Sequence, residues 1–423
     1  MLLVAGPTLA AEVDFSVLGG VTYSDNIERL SDGLERSSSA AVVGLELRGE
    51  RPAGRLRYDA AADMSYNEYL SLNLKSEIFG RAALRGSYDF VPQSFSWNGS
   101  VAYDQIRADV LRPLAPGNTE GLLTLSTGPT LRARFSGAME GQLDGHFVRT
   151  SYGDRPFDNE TVGGRALLIR RANPRSMLAL GASYDDVAYV SGVGASALDF
   201  DRREVFARAE LASVRTDINL EAGYADISGP NVDEGGPMLR ARFSRRMTPS
   251  LTGYIDAVRE FPTSEDLSRT FNSASPDGSV EDGALLTSGP RQSTRFEGGW
   301  RFNRPRVQAE LAYARREEES RAGVLLERVQ DEFRVRVSRR FNPGVRGSFF
   351  AAITKEDFSG SSGSFDERLV GVELGVAFGT ALGLDFRVEH RKRDGLTALN
   401  DYSELGAGLF LRYSGSLGGD ATR

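Results

Sequence analysis

From Leu56 to Asn67 the chain reads as two interleaved sequences. Leu56, Tyr58, Ala60, Ala62, Met64 and Tyr66 take one set of alternate positions, and Arg57, Asp59, Ala61, Asp63, Ser65 and Asn67 take the other. A helix would scatter both sets around its axis; an extended strand separates them, because successive side chains point to opposite faces. The same period returns along most of the 423 residues. Phe95, Trp97, Gly99, Val101 and Tyr103 alternate with small polar residues. Leu123, Leu125, Leu131, Ala133 and Phe135 share one parity, with Arg132 and Arg134 on the other. Leu239, Ala241 and Phe243 alternate with Arg240 and Arg242, and Phe296, Trp300 and Phe302 oppose Arg295, Glu297 and Arg301. Phe333, Val335 and Val337 oppose Glu332, Arg334 and Arg336; Leu384, Phe386 and Val388 oppose Asp385, Arg387 and Glu389; Leu405 to Tyr413 closes the series.

The connections between these runs alternate in length. Short ones carry turn formers: Arg51-Pro52-Ala53-Gly54, Val91-Pro92-Gln93, Asn173-Pro174-Arg175, Thr248-Pro249-Ser250, Asn303-Arg304-Pro305 and Asn342-Pro343-Gly344, with three plainer turns at Ser136-Gly137, Arg215-Thr216 and Gly379-Thr380. Between them lie longer polar stretches at 25–37, 67–75, 107–120, 150–159, 186–201, 228–236, 262–291, 317–325, 356–365 and 394–401. Nine short turns and ten long loops imply about 20 strands, with 18–22 the range if a weak strand is missed or invented. An even number places both termini on the short-turn side.

A soluble sandwich also alternates, but its strands usually run about 5–6 residues, shorter than these runs. A sheet with one continuous apolar face and one charged face, placed in hydrocarbon, must close so that every backbone group is paired. The expected fold is therefore all-β: a closed, antiparallel, up-and-down transmembrane β-barrel with short periplasmic turns and long extracellular loops. Tyr58 and Tyr66, eight residues apart on one face, span about 26 Å along a strand, or about 20 Å along the membrane normal at a tilt near 40°, close to the height of an apolar band.

Composition excludes several alternatives. No run of about 18 apolar residues exists, so no transmembrane helix is expected. The slightly negative mean hydropathy is compatible with a barrel, where only alternate residues face lipid. A net charge of −7 gives no case for nucleic-acid binding. The absence of cysteine excludes disulfides and thiolate metal sites. Residues 1–11, Met1 to Ala11, have the apolar stretch and small residues of a signal-peptide remnant without its basic leading region. The expected division is 1–11 as that remnant, 12–414 as barrel and 415–423 as tail, with no plug domain ahead of the first strand, which argues against an active transporter.

Gly20-Val21-Thr22-Tyr23-Ser24-Asp25-Asn26-Ile27 ends the first strand. It resembles a recurrent opening in β-barrel porins of Gram-negative outer membranes, a group that includes barrels associated with exosortase and exopolysaccharide loci. The resemblance covers eight residues. The group ends on an aromatic strand, which Leu409-Phe410-Leu411-Arg412-Tyr413 matches, although ten residues follow Tyr413 here. It implies outer-membrane localisation, export through the periplasm with its chaperones and the barrel-assembly machinery, and polysaccharide-export components as partners. It brings no catalytic residues.

Candidate site residues fall on the polar parity. Arg57, Arg85, Arg132, Arg134, Arg208, Arg240, Arg242, Arg295, Arg301, Arg334, Arg336 and Arg387 share it with Asp59, Asp63, Glu140, Asp144, Glu210, Glu221, Glu297, Glu310, Glu332, Asp385 and Glu389. Together they are expected to line a wet lumen, pairing across strands; guanidinium and carboxylate groups there also suit a sugar chain or its acidic groups. A hydrolytic barrel would need one of the only two histidines, His146 and His390, beside a serine and an orienting group; they lie far apart in sequence, and although Asp144 shares the face of His146 two residues before it, both read as ordinary strand residues and no enzyme is expected. His390 shares the outward parity of Phe386 and Val388. The 262–291 loop holds five carboxylates without the spacing of a calcium loop, so no metal or cofactor is expected; it is either solvated or folded inward as a constriction. The expected function is a passive conduit or export porin for secreted polysaccharide, the alternative a non-conducting structural or receptor barrel whose loops bind a partner or surface glycan.

Overall fold

The computed structural model describes residues 12–109, 111–153, 158–191, 195–262, 291–320, 327–359, 364–396 and 401–417. They form twenty strands: β1 (Glu12–Ser24), β2 (Ser38–Arg51), β3 (Leu56–Tyr69), β4 (Glu77–Val91), β5 (Phe95–Arg107), β6 (Thr119–Arg134), β7 (Met139–Tyr152), β8 (Asn159–Asn173), β9 (Ser176–Tyr189) and β10 (Phe200–Ala212) in the first half. The second half holds β11 (Thr216–Gly229), β12 (Val232–Thr248), β13 (Leu251–Glu260), β14 (Arg291–Arg304), β15 (Val307–Ser320), β16 (Arg328–Asn342), β17 (Val345–Phe358), β18 (Phe365–Phe378), β19 (Leu382–Gly395) and β20 (Tyr402–Leu417). Each strand pairs antiparallel with its neighbours in sequence, and β1 pairs with β20 from Val13↔Leu417 to Ser24↔Gly406. The sheet is a closed cylinder.

Three of its short turns are closed by side-chain oxygens just before the proline, which accept backbone N–H groups just after it. Asn173 Oδ1 accepts the backbone N–H of Arg175, Asn342 Oδ1 that of Gly344, and Thr248 Oγ1 those of Ser250 and Leu251. The register shifts by one residue just before Pro92, Pro174, Pro249 and Pro343. Such bulges tighten the local twist where the chain must reverse.

Two boundaries differ from the sequence reading. The 228–236 segment, read as a long polar loop, is a tight turn between Gly229 and Val232, after which β12 runs 17 residues. Pro237 is accommodated because residues 232–238 pair with β11 alone, the β12–β13 ladder starting only at Leu239↔Arg259; proline is tolerated on an unpaired edge. Gly415 to Leu417, read as tail, continue β20 opposite Phe15, Asp14 and Val13. Residues 1–11, 418–423 and nearly all of the 262–291 loop lie outside the described residues.

The exterior is apolar. Val205 is 68% exposed and Leu180 63%, values that in water would mark a liability. Aromatic residues cluster near both rims, Tyr23, Tyr66, Tyr184 and Tyr224 at the long-loop end and Phe90, Phe135, Phe341 and Tyr413 at the other. The inner face is not uniformly charged as expected: Val187, Phe200, Phe206, Ala225, Ile227, Val232 and Met238 form a buried cluster with Phe261 at the long-loop end of β9–β12.

Candidate functional site

The candidate site is the inner wall and the hairpin that enters it. Side chains on the concave face of a cylinder converge, so contacts skip strands. Arg165 on β8 reaches Glu221 on β11 at 2.7 Å, Arg334 on β16 reaches Glu297 on β14 at 2.9 Å, and the Tyr254 hydroxyl on β13 reaches Glu310 on β15 at 3.3 Å. These partners share the polar parity, opposite the exposed apolar residues.

The candidate residues sit in linked groups on this face. Arg57 binds Asp89 at 2.9 Å; Asp59 stands opposite Arg85, and Asp63 opposite Arg81 and Glu46. Arg132 donates to Gln142 at 3.3 Å, Arg134 stands opposite Glu140, Glu140 meets Arg171 at 3.7 Å, and Asp144 accepts from Thr130 at 2.6 Å. Arg208 joins Glu210 and Glu221, and Arg240 bridges Glu204, Glu221 and Glu260. Asp256 receives both Arg242 at 2.9 Å and Arg295 at 3.4 Å. Arg301 binds Glu310 at 3.2 Å and lies 4.3 Å over the Tyr254 ring, Glu332 meets Arg334 at 3.8 Å, and Arg336 lies 5.8 Å from the Phe350 ring. Asp385 binds Arg412 at 3.2 Å, and Arg387 binds Glu373 at 3.5 Å and Glu389 at 2.6 Å.

Sequence reasoning missed the most enclosed groups, most of which sit near the long-loop ends of their strands. Arg328, with a fully buried side chain, pairs with Glu356 at 2.8 Å. Glu367 holds Arg391 and Arg393 and accepts the Tyr402 hydroxyl at 3.0 Å. Asp185, 1% exposed, takes two bonds from Arg202, at 2.9 and 2.7 Å, and one contact from His146 at 2.8 Å.

The inward constriction comes from an unexpected segment. β5 leaves the wall early: its ladder with β4 stops at Ala82↔Tyr103, while its ladder with β6 runs on to Arg107↔Thr119. The Gln105 side chain takes over for the missing backbone pairs, accepting from Gly80 N and donating to Ile78 O. Freed from the wall, Arg107 crosses the lumen to Glu356 on β17 at 2.8 Å. Beyond it, Leu111 packs on Phe358 and Phe365, and the Leu114 carbonyl accepts from Arg29. A cavity of about 840 Å³ runs from Leu114 and Pro116 on this hairpin to Pro343 and Gly344 at the short-turn rim. A second, of about 530 Å³, is lined by Arg57, Asp59, Arg85, Asp144 and His146.

His390 faces outward, as expected, but the fold brings its Nε2 to 3.3 Å from Ser403 Oγ on β20. No acidic group orients its ring among the described residues, so the pair lacks the third member of a hydrolytic triad. His146 is committed to Asp185. Among the described residues no group of three His, Asp or Glu could hold a metal ion.

No family model and no curated protein matches this sequence. Solved structures do match its fold. The siderophore receptor PirA from Acinetobacter baumannii superposes with a TM-score of 0.51 at 10% identity, over 96% of this chain and 80% of that one. The FrpB iron transporter from Neisseria meningitidis superposes with a TM-score of 0.51 at 8% identity, over 96% and 82%. At such identities the likeness is one of architecture: this chain has the closed barrel fold of Gram-negative outer-membrane β-barrels.

Proposed function

We propose that this chain spans the outer membrane of a Gram-negative bacterium, with short turns in the periplasm, and acts as a passive pore. The observation that carries the reading is the cavity of about 840 Å³ between the in-folded hairpin and the short-turn rim, walled by charged side chains inside an apolar exterior. An apolar belt needs lipid, and a charged interior needs water. In planar bilayers the purified protein gives stepwise conductance; a persistently closed lumen counts against the reading. The role is transport rather than catalysis, and loss of an activity on substituting His146 would reverse that.

The finer part of the proposal is export of a secreted polysaccharide, with polysaccharide-export components as partners. It rests on the eight-residue resemblance at Gly20–Ile27. Much of that motif holds the first loop against β20. Ser24 donates to Glu404 at 2.7 Å, Asp25 accepts Leu405 N at 2.7 Å, and Asn26, fully buried, donates to Leu30 O and Ser403 O. Normal exopolysaccharide secretion after gene deletion would remove the specific role.

One observation favours a second reading, a non-conducting barrel. The Arg107–Glu356 contact ties the hairpin across the lumen, and a tie that never releases would leave the loops as the working surface. That reading forecasts no conductance in any state.

A further inference from the structure

We infer that the lumen selects anions, and that Arg340 and Arg346 form the receiving site for an oxyanion, a carboxylate or phosphate group, at its short-turn mouth. The selectivity rests on the pore reading above; the binding site does not require conduction.

Arg340 on β16 and Arg346 on β17 stand directly opposite each other in the ladder and both line the large cavity. Like charges in that position repel across the strands. At Arg208, Arg240, Arg295 and Arg387 on the inner wall such charges are neutralised by neighbouring carboxylates. Here the nearby carboxylates are already engaged: Glu373, across from Ser348, holds Arg387, and Asp385, across from Gly375, holds Arg412. Among the described residues neither Arg340 nor Arg346 has a side-chain hydrogen bond or ion pair, and both are exposed to the lumen's water. Two guanidinium forks on adjacent strands present paired donors suited to one oxyanion, which would supply the charge the sheet lacks.

The surrounding wall extends the preference. Eight arginines and five carboxylates line this cavity, although the chain as a whole carries −7. The smaller cavity is also lined by more arginines than carboxylates. Low-dielectric walls focus such a field along the path, so an anion entering between Arg340 and Arg346 meets Arg336 and Arg387 flanking Phe350 farther along. Ser338 and Ser348, bonded to each other at 2.9 Å, separate the two levels.

The test compares wild type with an R340E/R346E double variant of the full chain, after heat-modifiability on gels shows that both are folded. In a potassium chloride gradient across a planar bilayer, the wild type gives a reversal potential on the chloride side. The variant's chloride-to-potassium ratio falls by about threefold or more, the effect screened charges of this kind produce. Calorimetric titration of the detergent-solubilised barrel with inorganic phosphate and, separately, with a short oligogalacturonate identifies which oxyanion source is preferred; the variant loses that heat. A conducting wild type that favours potassium, or a variant with unchanged selectivity and binding, overturns the inference. Absent conductance with binding lost only in the variant overturns the pore and the selectivity but upholds the site; absent conductance and absent binding overturn all of them.

Discussion

His146 on β7 and Asp185 on β9 meet at 2.8 Å across the strand that lies between them. They do so through Gly163 on β8, which faces both: His146↔Gly163 and Gly163↔Asp185 are successive pairs of the ladder. A Cβ at Gly163 would overlap the Asp185 carboxylate and lie 2.5 Å from the His146 ring. Glycine here is a doorway rather than a hinge.

Gly163→Ala is therefore expected to force the pair apart, leaving Asp185 to Arg202 alone. The loss is about 1–3 kcal/mol, the usual cost when a buried polar group loses a partner. Urea unfolding of the refolded barrel reads it. In a His146→Ala background the same substitution costs less, because the ring that the new methyl would strike is gone; an equal cost in both backgrounds would refute the account.

Arg107→Ala removes the arm that ties the hairpin across the lumen while leaving the Arg328–Glu356 pair in place. Single-channel conductance is expected to rise and to become noisier, with fold stability changed by no more than about 1 kcal/mol, since a two-ended loop loses one anchor among several. Unaltered current amplitude would show that the hairpin does not limit flow.

Arg328→Met breaks a different kind of contact. The Arg328 side chain is fully buried and that of Glu356 is 2% exposed, and Arg107 stays as the carboxylate's second cation, so removing Arg328 costs about 1.5–3 kcal/mol, the range for a hydrogen bond to a charged group. Adding Arg107→Ala strands the carboxylate and should deepen the loss to about 3–5 kcal/mol, measured as the temperature at which the folded band disappears on gels. A double variant as stable as the single one would mean that packing, not charge, is responsible.

Val205→Arg puts a cation on the outer face at a residue 68% exposed in mid-β10. In lipid this costs about 2–4 kcal/mol. Arg208→Gln, three residues on and facing inward, should cost less. If both variants insert into vesicles with equal yield, the outer face does not meet hydrocarbon.

The alternation in Leu56–Asn67 was legible because each face has one kind of neighbour, apolar side chains on the exterior and polar or charged ones on the interior. The nine short turns were legible because proline, asparagine and glycine act through local backbone geometry. What escaped depends on contacts distant in sequence. Gly235 and Gly236 read as loop because nothing local reveals that β12 already pairs with β11 there while β13 joins the ladder only at Leu239. Arg107 carries the outward parity of Tyr103, and only the early departure of β5 from β4 turns it inward. The Phe206 and Ile227 cluster breaks the rule of a charged interior because Phe261 folds back over it. The candidate lumen residues were chosen by parity alone, which carries no information on their partners, such as Arg165 on β8 for Glu221 on β11.

The seam between β1 and β20 also sets an order in time. Ser24 and Glu404 are 380 positions apart, as are Asp25 and Leu405, and until β20 is made, the β1 edge and the buried Asn26 have no partner on that side. Every other strand must be made before the cylinder can lock, so the residues of β1 wait longest for their final hydrogen bonds. A stop codon ahead of Tyr402 would leave not a smaller barrel but an unlatched sheet with two raw edges, one of them holding the unmatched polar groups of its first loop.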